Sequence, residues 1–371
     1  MSNKKDLKEI AKLFFKLGSI AFGGPAAHIA IMEDEVVKKR NWMSAQHFLD
    51  LVGATNLIPG PNSTEVTMHI GHERAGWKGL ILAGICFVFP AVIITMIFAC
   101  LYQQYGQLPK VEPFIYGIKP AVIAIILAAV YRLGKKALKN IELGILGSLT
   151  LIACVLGLNE ISALFISGFI GLFWHLLWQS KNNLKSFTPL LLLQLTISNG
   201  SLKILWTFFK VGAFLYGSGY VLFAFLDAEL VSTGILSRQE LIDAVAIGQF
   251  TPGPVLSTAT FIGWQLGGFW GSIAATIGIF LPSFIFVALL NPFIPKMRKS
   301  KNFAAFLDAI NIASVAVIIA VCIEMGKDSL TDWRTITIAI ISIISVFIFK
   351  KINSAFIVIG GAFMGYILTF F

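Results

Sequence analysis

The sequence predicts an all-α polytopic membrane protein built on an inverted two-fold repeat. Each half is expected to hold two broken, re-entrant helical hairpins followed by about four transmembrane helices. Three observations carry this reading. Of 371 residues, 57% are hydrophobic and only 13% charged, with a mean hydropathy of +0.82, which places most of the chain in a bilayer. Apolar runs are interrupted at Gly23-Gly24-Pro25 and Pro59-Gly60-Pro61, and both interruptions return in altered form, as Gly217-Ser218-Gly219 and Pro252-Gly253-Pro254. Basic residues, finally, favour opposite ends of equivalent segments in the two halves.

The first repeat, residues 1–180, opens with an amphipathic run from Leu7 to Val37, broken at Gly23-Gly24-Pro25. A basic loop carrying Lys38, Lys39 and Arg40 leads to a second broken run, Ala45 to Gly71, with Pro59-Gly60-Pro61 at its centre. Arms of roughly 12 residues are too short for the ~20 that a spanning helix needs, so both runs are expected to enter and leave on one side. The longer runs Leu80–Leu101, Phe114–Leu133, Leu143–Leu158 and Ile161–Trp178 read as full spans. Residues 181–202 form a linker with an extra short span expected near Phe187–Ser198, and residues 203–371 repeat the plan. The N-terminus is charged and lacks a small-residue cleavage site, so no cleaved signal peptide is expected.

The repeat can be followed residue by residue. Lys16-Leu17-Gly18 matches Lys210-Val211-Gly212, Leu49-Asp50 matches Ile242-Asp243, and Gly71, Gly76, Gly79 and Pro90 match Gly263, Gly268, Gly271 and Pro282. A two-fold repeat in a membrane chain reads first as a transporter. Lys38, Lys39, Arg40, Arg74 and Lys78 have almost no basic counterparts in the second half, whereas Lys110 alone stands where the second half has Lys296, Arg298, Lys299 and Lys301. Basic loops mark the cytoplasmic side, so the halves are expected to be inverted, with the N-terminus cytoplasmic and the C-terminus external. The net charge of +10 follows from this bias and does not point to nucleic acid. Cys86, Cys100, Cys154 and Cys322 sit in apolar runs without metal-type spacing and read as core.

Ionisable residues within the membrane cost roughly 2.5–3.5 kcal/mol each on insertion scales and ask for a function. Lys16 and Lys210 occupy matched positions before the first break of each half, where two cations would suit a dianion; the alternative is snorkelling to the interface. Asp50 and Asp243 are matched as well, as capping, lysine-pairing or coupling groups. Glu65 has no acidic counterpart and lies early in the helix after Pro61, suited either to proton carriage or to the helix dipole. His28 aligns with Leu222 and could titrate near neutral pH or be structural, while Lys119 aligns with Asn311 and is a further candidate anion contact. Polar groups flank the second break in both halves: Asn56 against Gln249, and Asn62, Ser63 and Thr64 against the Ser257 region. Amides and hydroxyls, together with helix N-termini released by Gly and Pro, donate hydrogen bonds to oxyanions.

These residues give the chain its resemblance. The runs Phe22-Gly23-Gly24-Pro25-Ala26-Ala27-His28-Ile29, Met32-Glu33-Asp34-Glu35-Val36-Val37 and Leu57-Ile58-Pro59-Gly60-Pro61-Asn62-Ser63-Thr64-Glu65 stand in the first half. Gly217-Ser218-Gly219-Tyr220 and Gly248-Gln249-Phe250-Thr251-Pro252-Gly253-Pro254-Val255 stand in the second. With these motifs the chain resembles the chromate ion transporter family, in its long form with two homologous halves. The resemblance implies a bacterial inner-membrane protein exporting chromate, with sulfate as the chemically similar competitor.

The expected function is thus a secondary transporter for a tetrahedral oxyanion, chromate or sulfate, surrounded by lipid and with homo-oligomerisation left open. No Gly-x-x-x-x-Gly-Lys-Ser/Thr phosphate loop occurs, and no His-Glu-x-x-His or Gly-x-Ser-x-Gly motif supports an intramembrane enzyme, so neither a cofactor nor a metal is expected. An oxyanion channel on the same fold remains the alternative.

Overall fold

A computed structural model describes residues 4–22, 24–106, 108, 111–179, 200–216, 219–290, 297, 299–349 and 353–369. The extra span expected near 187–198 lies outside the described residues. Everything regular among them is helical. The first half comprises α1 (Lys4–Ile20), α2 (Pro25–Glu33), α3 (Ala45–Thr55), α4 (Asn62–Tyr105), α5 (Glu112–Ala137), α6 (Ile141–Val155) and α7 (Glu160–Gln179). The second comprises α8 (Gly200–Phe214), α9 (Val221–Leu226), α10 (Arg238–Phe250), α11 (Thr258–Leu290), α12 (Lys301–Ser329), α13 (Trp333–Ile348) and α14 (Ser354–Leu368). Each of α2 and α9 runs on into a π-helical turn, Asp34–Lys39 and Asp227–Val231, a matched feature that the hydropathy pattern does not reveal.

Local chemistry explains the boundaries. Pro25 begins α2, where a missing N–H costs nothing. Ser44 caps α3 by accepting from His47 N–H, and Ser237 caps α10 in a capping box with Glu240. Gly60 and Gly253 take φ of +143° and +91°, a region that favours glycine, between prolines that cannot continue the preceding helix. α4 and α11 are each two helices. The chain reverses at Ala75-Gly76 (Gly76 φ +61°) and at Gly267-Gly268 (Gly268 φ +58°). Each inner arm, 62–74 and 255–266, then folds back on a long outer arm so closely that a Cβ on Gly79 or Gly271 would strike the carbonyl of Gly71 or Gly263. The inner arms therefore stay short and re-entrant, as expected. α1, at 17 residues, is longer than the roughly 12 expected of an arm.

The outer arms of α4 and α11 run in opposite directions. Tyr102, at the end of α4, packs edge-on to Phe261 at 5.2 Å on the inner arm of α11, and Trp264 Nε1–H donates to Gln103 Oε1 at 2.8 Å. Phe284, near the end of α11, lies against Met68 and Gly84 of α4. End meets beginning in both cases, the polarity an inverted repeat requires.

The halves are also interleaved. α5 packs against α13 and α14, while its counterpart α12 packs against α6 and α7. At the first of these crossings a Cβ on Gly361 would come within 2.6 Å of Ala121 Cβ and 2.7 Å of Gly117 O. Outward faces are apolar: Ile81, Ile85, Phe89, Ile93, Ile97 and Leu101 form an exposed stripe along α4, the surface that lipid covers. Among the described residues, five helical segments are long and apolar enough to cross a bilayer, and α6, α13 and α14 are shorter apolar helices, so that α6 falls short of the full span expected at Leu143–Leu158.

Candidate functional site

The four breaks meet at the junction of the halves, and each half holds the other. Gly60 N–H donates to Leu215 O at 2.7 Å, and Gly253 N–H donates to Ala21 O at 2.8 Å. These two bonds are equivalents under the repeat: the second break of each half closes on the first break of the other. Gly24 faces the Tyr220 hydroxyl, so the two first breaks also meet. A Cβ on Gly253 would come within 2.9 Å of Ala91 Cβ and 3.0 Å of Gly18 O. One on Gly60 would collide with Glu65 Oε1 and Ser283 Oγ. Side chains crowd the backbone at Gly60, and Ala91 with the Gly18 carbonyl crowds it at Gly253, at a spacing that favours glycine.

Polar side chains surround this clasp, and several lack partners. His28 is buried, its Nε2 3.1 Å from Ala21 O and its Nδ1 3.4 Å from Ser63 Oγ. With Nε2–H donating to that carbonyl, Nδ1 is left to accept from the Ser63 hydroxyl. His28 thus braces the carbonyl that Gly253 uses, which favours the structural reading. Thr64 Oγ1, Ser257 Oγ, Ser283 Oγ, Gln249 Nε2 and both carboxyl oxygens of Glu65 are buried without a hydrogen-bond partner among the described residues. α4 begins at Pro61 and Asn62 with no side-chain cap, so its first N–H groups are presented to the same junction. Buried polar groups without partners are rare in folded proteins, and a cluster of them asks for a ligand or a proton.

Other expected site residues lie elsewhere or pair differently. Lys16 and Lys210 are not free cations at the breaks: Lys16 Nζ is 3.5 Å from Glu35 Oε1, and Lys210 Nζ is 2.6 Å from Glu229 Oε2. Glu35 and Glu229 are themselves equivalents, and the π-helical turns carry them back onto α1 and α8. Glu35 also binds Lys39 and Arg40, and Asp227 binds Arg238. Outside the spans, Lys39 beside Asp34 holds that carboxyl below its ordinary range.

Asp50 and Asp243 part company. Asp243 is buried, 3.5 Å from Lys119 Nζ, and accepts from Tyr102 O–H at 2.6 Å. Its partner is thus Lys119 of the first half and not the Lys210 of its own. Asp50 stays half-buried on α3. Asn56 and Asn62 are also unlike Gln249: Asn62 Nδ2 donates to Asn56 Oδ1 at 2.6 Å toward the exposed side. Pro59, Pro61, Pro252 and Pro254 are buried in the breaks, and Gly219 packs beside Leu256. Gly23, Gly217 and Ser218 lie outside the described residues.

Sequence reasoning missed Ser283, Tyr102 and the carbonyls of Ala21 and Leu215. Ser283 follows Pro282, which served only to align the repeats, and nothing local marks a backbone carbonyl as an acceptor.

An inverted pair of helical repeats, with broken helices meeting at a buried polar junction, defines a multi-pass membrane protein with the architecture of a transporter. The Chromate transporter family model matches residues 8–172 and again 202–366, and the chain belongs to that family. It is 31% identical over 97% of its length to a chromate transport protein of Cupriavidus metallidurans, covering 92% of that relative. It is likewise 31% identical over 97% of its length to a probable chromate transport protein of Synechococcus elongatus, covering 95% of it. A transporter of Methanocaldococcus jannaschii described as uncharacterized is 28% identical over 99% of this chain and 98% of its own. No solved structure matches the chain. The family is one of transporters and not of enzymes.

Proposed function

We propose that this protein is a secondary carrier that exports chromate across the bacterial inner membrane, with sulfate competing as the similar tetrahedral dianion. The N-terminus lies in the cytoplasm and the C-terminus outside. The observation that carries the reading is the reciprocal clasp of the four breaks, Gly60 to Leu215 and Gly253 to Ala21, with unpartnered Thr64, Ser257, Ser283 and Gln249 around it. Hydroxyls, an amide and an uncapped helix start can replace the water around a dianion without a fixed positive charge at the site. Lys119, already close to Asp243, is the cationic candidate in this reading. Energetically, outward movement of a dianion across 100 mV, inside negative, releases roughly 4.6 kcal/mol at about 2.3 kcal/mol per charge, so export needs no nucleotide.

Glu65 is the coupling group in this reading. An ionised carboxylate beside a dianion is repelled strongly in a poorly solvated site, so the anion and the neutral acid occupy the junction together. Chromate and one proton therefore cross in the same direction, as a pair of net charge −1 that the same potential still drives outward, releasing about 2.3 kcal/mol across 100 mV.

The test is chromate binding to the purified protein, with sulfate as competitor, compared with Gly60→Leu and Gly253→Leu. Both substitutions are expected to abolish binding, because a side chain at either position separates the two breaks. Chromate binding retained in both variants overturns the assignment of the site, and equal indifference of the parent protein to chromate and sulfate overturns the substrate.

A further inference from the structure

We propose that one face of the inner arm of α4 is a proton path. It leads to Glu65 from the side of the protein that the basic residues assign to the cytoplasm, and it rests on the reading of Glu65 as the coupling carboxyl. Glu65, His69 and Glu73 stand four residues apart in a stretch with unbroken helical geometry up to Arg74. Four residues advance a helix by ~6 Å and turn it only ~40° past a full revolution, so the three side chains follow one face.

Two of the three are buried where packing alone would call for apolar residues. Glu65 and His69 are 0% and 1% exposed, and Glu65 Oε1 and Oε2 and His69 Nε2 have no hydrogen-bond partner among the described residues. Val66 and Ile70, on the adjacent face of the same arm, pack into the core with Phe48 and Leu51. The polar face is therefore not an extension of a solvated one. Its far end, by contrast, reaches the surface. Glu73 is half-exposed, its Oε2 3.6 Å from His47 Nε2. Both line a cavity of about 390 Å³ with Trp42, Ser44 and Arg74. A surface acid–imidazole pair, a buried imidazole and a buried carboxyl thus follow one another along a single arm.

The second half carries no copy. The positions matching Glu65, His69 and Glu73 hold Ser257 or Thr258, Phe261 or Ile262, and Gln265, none of which titrates. In a molecule with near two-fold symmetry, a path present in one half gives protons access from one face only. Steps of ~6 Å exceed a hydrogen bond, so one water bridges each. At His69 the imidazole takes a proton on one ring nitrogen and releases one from the other, and only N–H and O–H bonds form and break.

Other titratable groups on the elements around this arm have their own engagements. His28 of α2 is bound to Ala21 O and Ser63. On α1, Asp6 and Glu9 hold Arg74, and Lys16 is paired with Glu35. α3 brings His47 and Asp50, His72 stands on the arm itself, and Tyr216 comes from the second-half break. α11 contributes Ser283, which does not titrate.

The full-length protein in liposomes, with a pH dye inside, permits the test. Two quantities are read: exchange of labelled chromate at equal concentrations on both sides, and proton movement driven by a chromate gradient. His69→Phe and His69→Gln are expected to slow proton movement about a hundredfold, the scale of one lost proton-transfer group, while chromate exchange persists and reports the fold. Glu73→Gln slows it less, since cavity water can replace an exposed acid. Proton movement at the parental rate in both His69 variants overturns the path and leaves the role of Glu65 standing. Proton movement retained in Glu65→Gln, or chromate carried by the parent without protons, overturns the coupling reading and the path with it.

Discussion

Lys119 and Asp243 illustrate at the residue scale how much a single pairing decides. Their side chains are only 14% and 5% exposed, they come from opposite halves, and Tyr102 holds the carboxylate from a third helix. Breaking a buried pair from one side costs about 3–5 kcal/mol, because the remaining charge is left uncompensated, whereas removing both partners is often close to neutral. Lys119→Met is therefore expected to lower the melting temperature in detergent more than the Lys119→Met/Asp243→Asn double variant does. A double variant less stable than either single one would show that the pair is not a unit. Lys16 and Lys210 teach the converse. Their matched positions are evident in the sequence, but their partners Glu35 and Glu229 are set by π-helical turns that local patterns do not announce.

At the scale of elements, glycine decides which helices can touch. α5 and α14 cross where Gly117, Gly361 and Gly365 leave no room for a Cβ, while the neighbouring Gly360 has nothing within 4 Å of such an atom. The sequence spacing of Gly361 and Gly365 suggests a packing face, and the structure supplies the partner. Gly361→Ala should destabilise by about 1–3 kcal/mol through overpacking. Gly360→Ala should be neutral or stabilising by up to about 1 kcal/mol, from helix propensity. Thermal unfolding of the two variants side by side checks this. Equal effects would mean that the crossing tolerates separation. The hairpins inside α4 and α11 follow the same logic, since a helix can fold back on itself only where facing glycines permit it.

For the whole molecule, the exchange of helices between halves matters most. α5 needs α13 and α14, α12 needs α6 and α7, and the two clasping hydrogen bonds each cross the repeat boundary. Neither repeat can therefore bury its interior alone, although each reads as a complete unit in sequence. Residues 1–180 and 203–371 expressed as separate chains should co-purify when made together, and neither should accumulate when made singly. Stable accumulation of either one alone would contradict this dependence.

What the sequence determined by itself was the membrane class, the four breaks, the repeat and its inversion. Each of these follows from local chemistry: apolar runs partition into lipid, glycine and proline end helices wherever they stand, and basic loops stay on one side. Glu65 was visible for the same reason, as a carboxyl out of place in an apolar run. Only the tertiary structure decided which break binds which, that Asp243 meets Lys119, that His28 braces a carbonyl, and that Glu65 and Ser283 both close on Gly60. Apart from His28, which reaches back only to Ala21, and Glu65, which lies near Gly60 in sequence, those contacts join segments more than a hundred residues apart, and hydropathy and spacing describe only neighbours along a chain. Which distant elements share a face depends on how the two halves interleave, and that is settled by close packing across the whole molecule.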